Sequence, residues 1–234
     1  MDFTRNVPSR FDRASNGVAA GASPGEAIRV ALHEIIERDA VTEWQSRGLV
    51  ECTADTLRLD TVPFDWLRGW RERLGQADIA MRLYRVPSIT GTPVFACELN
   101  DPDKVGAPYR STQGRGAHPV AEVALFKAVA EALQARATYI AGARDDILPP
   151  AYAPRAGLIM VAFGLPLPPN MPGADWDEIA PGPVGDAALI DAIARAGYQR
   201  IGIVELGAPH GLSVVRAFVC GLGSLHRRRR PARH

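Results

Sequence analysis

The feature that most constrains this chain is the stretch "SPGEAIRVALHEIIERDAVTEWQ", residues 23–45. Ser23 is placed to cap a helix, Pro24 suits the first helical position, and Glu26, three residues after Ser23, completes a capping box. The spacing predicts a helix from about Pro24 to Gln45. At 1.5 Å per residue such a helix runs roughly 30 Å, the width of a small domain, so the other elements must pack around it.

One face of this helix is a conventional core stripe of Ile28, Leu32, Ile35 and Ile36. The opposite side carries Glu26, Glu34, Glu37 and Arg38, and at 100° per residue Glu26 and Glu37 lie only about 20° apart. Val30, Val41 and Trp44 border this acidic stripe. Two readings fit. Glu26 caps the helix and Glu34–Arg38 is an ordinary i,i+4 pair in the favourable order; or the clustered carboxylates form the wall of a site, because hard oxygen ligands on a rigid helix suit Mg²⁺ and a neighbouring Arg suits phosphate. The wheel alone does not decide between them. His33 beside Glu34 is no H-E-x-x-H motif, since position 37 is Glu.

The remaining elements argue for an α+β fold in which helices cover a sheet. A short amphipathic helix is expected from about Phe64 to Leu74, and "DIAMRLYRVPS" and "TPVFACELN" read as two strands of a hairpin. "STQGRGAHPVAEVALFKAVAEALQARATYIAGARDD" reads as a glycine-rich loop opening a second long helix, from about Pro119 to Tyr139. On it Lys127 and Glu131 form an i,i+4 pair in the weaker order, Lys first, while Glu122 suits the first turn without any further role. Residues 148–183 read as an irregular connection. "GDAALIDAIARAG" is a helix stopped by Gly197, and "YQRIGIVELG" and "GLSVVRAFVCGL" are strands.

With 234 residues and 47% hydrophobic content, the chain has enough apolar material for one real core. It contains neither an apolar run long enough to span a bilayer nor a signal-peptide core, which gives a cytoplasmic expectation. Cys52, Cys97 and Cys220 are odd in number and widely spaced, so buried thiols are expected rather than disulfides or zinc ligands. The net charge of +1 includes Arg227, Arg228, Arg229, Arg230 and Arg233, and without those five the body carries −4. No aromatic–basic pattern or helix-turn-helix accompanies the basic run, so it is read as a solvated tail rather than a nucleic-acid site.

"SNGVAAGASPGEAIRVALHEIIERDAV" and "GRGAHPVAEVALFKAVAEALQARATYIAGARDD" resemble two segments of YcaO-domain proteins, in the right order. "IVELGAPHGLSVVRAFVCGL" is similar to that family's closing strands. The resemblance implies a YcaO-like fold of mixed sheets flanked by helices. It also implies use of ATP and Mg²⁺ to phosphorylate a backbone amide oxygen of a peptide or protein, in azoline or thioamide formation. By motif position it makes Glu34, Glu37 and Glu131 the Mg²⁺ ligands and places Glu26, Arg38 and Lys127 against the nucleotide, with Lys127 where the family usually has Arg.

The sequence also departs from the family pattern. Ala19 and Ala22 stand where polar nucleotide contacts are common, and the family's earlier Glu-x-x-Glu-Arg helix has no counterpart here. The expected organisation is an N-terminal segment (1–14), a partial YcaO-like domain (15–226) lacking its N-terminal part, and a basic tail (227–234). A partner chain is then expected to complete the site, and "AGARDD" is similar to members that work with a TfuA partner. The alternative is a non-catalytic remnant that binds a peptide or a partner protein.

Overall fold

The computed structural model describes residues 15–47, 49–101, 111–142 and 173–222. The first element, β1 (Val18–Gly21), leads into α1 (Pro24–Ser46), whose start is built as the sequence predicts. Ser23 Oγ accepts from the Glu26 N–H at 3.2 Å, and Glu26 Oε2 accepts from the Ala22 N–H at 2.9 Å. Reciprocal side-chain acceptors of this kind satisfy N–H groups that a helix start otherwise leaves unpaired.

After α1 come α2 (Leu49–Ala54), α3 (Asp65–Gln76), β2 (Ala80–Val86), β3 (Val94–Asn100), β4 (Ser111–Ala117) and α4 (Ala121–Ala141). A 3₁₀ turn at Trp176–Glu178, α5 (Asp186–Arg195), β5 (Ile201–Gly207) and β6 (Ser213–Val219) complete the described chain. The strands form two antiparallel three-stranded sheets, ordered β1-β6-β5 and β2-β3-β4. This is the mixed α+β architecture expected.

Between the two sheets lies α1. Its Ala27, Ala31, Leu32, Ile35 and Ile36 share one apolar cluster with Val215, Ala217 and Val219 of β6, and with Tyr84, Val86, Val94, Ala96 and Ala117 of the second sheet. Leu189 and Ile193 of α5 join the same cluster. The other face of the second sheet, through Leu83, Phe95, Cys97 and Leu99, packs on α3 and α4. Alternate residues of a strand face opposite ways, so β3 can supply both cores while being buried along its whole length.

Val41 and Trp44, which edge the acidic stripe, are both buried, because the second sheet covers the side of α1 opposite β6, and Trp44 packs at 5.1 Å between ring centroids on Tyr84. Two local expectations are corrected. The glycine-rich segment is not a loop but strand β4. A Cβ on Gly114 would collide with the Ala128 carbonyl and the Ala132 N–H, and one on Gly116 with the Ala124 carbonyl, so these glycines let α4 lie directly on the strand. Cys52 and Cys97 are buried free thiols, but Cys220 is exposed.

Of the irregular connection expected over 148–183, residues 173–183 are described, and Ala174 bonds to the backbone of Thr56 and Arg58. The rest of it, the segment 1–14 and the tail 227–234 lie outside the described residues. Among the described residues no helix is long and apolar enough to cross a membrane.

Candidate functional site

α1 and α4 both pack against β4, and the site follows from what each helix presents there. On α1, Arg38 grips Glu34, with Nη2 at 2.8 Å and Nε donating at 2.9 Å to the same Oε1. The pair is the i,i+4 salt bridge the sequence allowed, and it is half-buried. Glu37, one residue before Arg38, lies within electrostatic range of Glu131 and Lys127 on α4 as well as of Arg38.

Lys127 and Glu131 on α4 have the same i,i+4 spacing but bond to the strand below. Glu131 Oε2 accepts from the Arg115 N–H at 2.7 Å, and Lys127 Nζ donates to the Ala117 carbonyl at 3.2 Å. Glu37 thus looks across at Glu131 with Lys127, Arg115 and Arg38 around it. Burial first, and the facing Glu131 carboxylate second, push the Glu37 carboxyl up to about 7, against the pull of the three cations.

Toward the N-terminal half of α1 the same side opens into a cleft of about 620 Å³, lined by Glu26, Arg29, His33, His118, Gly185 and Asp186 among others. Arg29 and Asp186, at 2.9 Å, link α1 to the start of α5. His33 is not the solvated or satisfied residue that a lone histidine usually is: it is 8% exposed and its Nε2 has no hydrogen-bond partner. Burial, helped by the charges of His118 and Lys127, drives its pKa down to about 4, so it is neutral at physiological pH. The His118 ring lies 6.1 Å away, and its Nδ1 accepts from the Val120 N–H at 3.0 Å.

Of the six residues singled out in the sequence, Glu37, Glu131, Lys127 and Arg38 come together, Glu34 stands beside them held by Arg38, and Glu26 lies up the helix at the cleft. Among the described residues no three His, Cys, Asp or Glu side chains form a ready-made metal cage. The Glu37–Glu131 pair nevertheless suits one kind of ion. Two facing carboxylates, one held near neutrality, are relieved by a divalent cation, and Mg²⁺ binds through one or two carboxylates while keeping water and phosphate oxygens. The surrounding cations suit those phosphates. Arg115 was missed by sequence reading; its only signal was its place between two glycines.

Comparison with known proteins agrees with this architecture. A sequence model described as YcaO cyclodehydratase, ATP- and Mg²⁺-binding, matches residues 2–223. A Rhizobium leguminosarum bv. trifolii protein from the tfuA 3′ region is 32% identical over 159 residues, covering 65% of this chain and 37% of that protein. A Methanothermobacter thermautotrophicus protein is 32% identical over 149 residues, 64% of this chain and 38% of its own length. The chain therefore spans little more than a third of these relatives.

Among solved structures, a heterocyclase in complex with substrate and cofactor superposes with a TM-score of 0.72 at 22% identity, over 94% of this chain and 30% of the other. YcaO from Methanopyrus kandleri bound with AMPPCP and Mg²⁺ gives 0.68 at 22% identity, over 94% of this chain and 57% of that one. At such identities the superpositions establish the fold. The family model covers nearly the whole chain, and the chain belongs to the YcaO family.

Proposed function

We propose that this chain takes part in ATP- and Mg²⁺-dependent activation of peptide backbone amides, of the kind that leads to azolines or thioamides, with a partner polypeptide completing the site. The observation that carries this reading is the Glu37–Glu131 pair facing across the α1–α4 gap, with Lys127, Arg115 and Arg38 around it. Glu37 and Glu131 are the proposed Mg²⁺ ligands, and Glu34 joins them once Arg38 turns to phosphate. Lys127 and Arg38 bind the phosphates, and Glu26 lies where it would meet the rest of the nucleotide.

When bound, Mg²⁺ and ATP supply an electrophilic phosphoryl group whose charge the metal and cations neutralise, and phosphoryl transfer is chiefly such positioning and neutralisation. This chain's own residues do three things. Arg38 holds Glu34 in place, the Arg115 N–H holds Glu131 while the site is empty, and burial raises the Glu37 carboxyl to about 7, so that it is partly protonated at neutral pH until a cation arrives. Support for a TfuA-like partner is that a relative lies in a tfuA 3′ region.

The test is calorimetric titration of Mg²⁺–ATP into the chain and into Glu37→Gln. Saturable binding by the wild type that falls at least tenfold in the variant is expected; equal binding by both contradicts the assignment. A second reading, a non-catalytic subunit that binds a peptide or a partner, is favoured by the lack of a three-acid cage among the described residues. It predicts no Mg²⁺–ATP binding even when a partner is present.

A further inference from the structure

The two outer edges of the second sheet are finished differently. The edge of β2 is closed by main chain: the Leu57 N–H donates to the Leu83 carbonyl at 2.8 Å, and the Arg85 N–H donates to the Asp55 carbonyl at 2.9 Å. The edge of β4 is closed by side chains, Glu131 on the Arg115 N–H and Lys127 on the Ala117 carbonyl. An open strand edge is a template for another strand, and folded proteins cover it for that reason.

The fit of these two side chains follows from spacing. Four residues along a helix advance about 6 Å, and two residues along a strand about 6.6 Å, so an i,i+4 pair on α4 matches an i,i+2 pair on β4. The helix runs 127 to 131 while the strand is met at 117 and then 115. Gly114 and Gly116, on the alternate parity, hold α4 against the strand and leave residues 113, 115 and 117 with their backbone groups turned outward. Lys127 and Glu131 are both exposed, and among the described residues they are the partners of the Arg115 N–H and the Ala117 carbonyl on that edge.

We infer that the outer edge of β4 is a docking edge for an extended peptide backbone, and that Lys127 and Glu131 occupy the places of the peptide's own carbonyl and N–H partners until it arrives. Only the choice of a peptide as occupant rests on the function proposed above. Pairing through main chain is indifferent to side-chain identity, while alternate side chains of the peptide remain free to face the site. It would lay successive backbone amides beside Glu37 and Glu131, where an amide-modifying site needs them. It also couples two events, because the side chains that leave the edge are those proposed to turn toward Mg²⁺ and phosphate.

The experiment uses the ¹⁵N-labelled full chain, without Mg²⁺ or nucleotide, and the blocked hexapeptide acetyl-(Thr-Ala)₃-amide. The peptide should shift the amide signals of Gln113 and Arg115 and slow hydrogen exchange at Arg115, while Arg85 on the β2 edge stays unchanged. Lys127→Ala and Glu131→Ala remove the competing side chains and should each tighten peptide binding by about tenfold, the equivalent of one hydrogen bond to a charged group. Glu131→Gln keeps an acceptor for the Arg115 N–H and should fall between. A hexapeptide N-methylated at alternate residues should not bind.

Shifts confined to another strand, no shift at all, equal binding of the N-methylated peptide, or unchanged or weaker binding in the alanine variants would each overturn the inference. Since metal and nucleotide are omitted, failure here leaves the Mg²⁺–ATP reading untouched. Failure of Mg²⁺–ATP binding likewise leaves this result standing.

Discussion

α1 and α4 carry the same local pattern, a carboxylate and a cation four residues apart, and use it in opposite ways. On α1 the carboxylate comes first, and Glu34 and Arg38 satisfy each other. On α4 the cation comes first, and Lys127 and Glu131 each reach past the helix to the backbone of β4. The order that stabilises an isolated helix yields a closed pair, and the weaker order leaves both groups available to something else. Glu37 faces the available pair, and burial first, with the Glu131 carboxylate second, pushes its carboxyl up to about 7.

The comparison depends on α4 lying directly on β4, so the largest effect is expected from removing that contact. Gly116→Val drives a side chain into the α4 backbone and should cost more than about 4 kcal/mol, or prevent folding, in urea denaturation. A variant that is as stable as the wild type would mean that α4 does not sit where the strand's edge needs it.

The next effect concerns pH. Glu37 titrates at about 7 in the folded chain against an ordinary 4.5, so the folded state holds a proton the unfolded state has released. Stability from this group is present below about 4.5 and is lost as pH rises to about 7, an amount of about 2 kcal/mol after allowance for its partial exposure. Buried Glu98, which accepts from Ser111 Oγ at 2.8 Å, is also raised to about 7 and adds a slope of the same sign. His33, lowered to about 4, gives the opposite sign, its stability being lost as pH falls from 6.5 toward 4. Glu37→Gln should remove only its own share of the slope, and Mg²⁺ should abolish that share while leaving that of Glu98.

The smallest effects compare the two pairs directly. Glu131→Ala leaves the Arg115 N–H to water and should cost about 1 kcal/mol in thermal or urea unfolding. Glu34→Ala breaks a half-exposed ion pair and should cost only about 0.5 kcal/mol. If Glu34→Ala proved the more damaging, the roles assigned to the two helices would be reversed.

Much of this arrangement is legible in the sequence because it is local. The α1 cap at Ser23, Pro24 and Glu26, the β2–β3 hairpin, and the α5 stop at Gly197 all follow from turn and cap chemistry. The i,i+4 order even distinguishes the closed pair from the open one. β4 is not legible, because Gly114 and Gly116 argue against a strand until α4 is known to press on it. β1 is too short and too rich in alanine and glycine to stand out. That Val41 and Trp44 edge the acidic stripe is legible, but nothing local reveals the second sheet that buries them on that side of α1. His33 likewise carries no local sign that burial will strip its Nε2 of partners.

The central claim is that Glu37 and Glu131 form a cation site. The most direct test is ¹³C NMR titration of the Glu37 side-chain carboxyl with and without Mg²⁺, with Glu98 as an internal reference. The account predicts a midpoint near 7 that falls below about 5 when Mg²⁺ is present, with Glu98 unmoved. A Glu37 midpoint that Mg²⁺ leaves unchanged would contradict it.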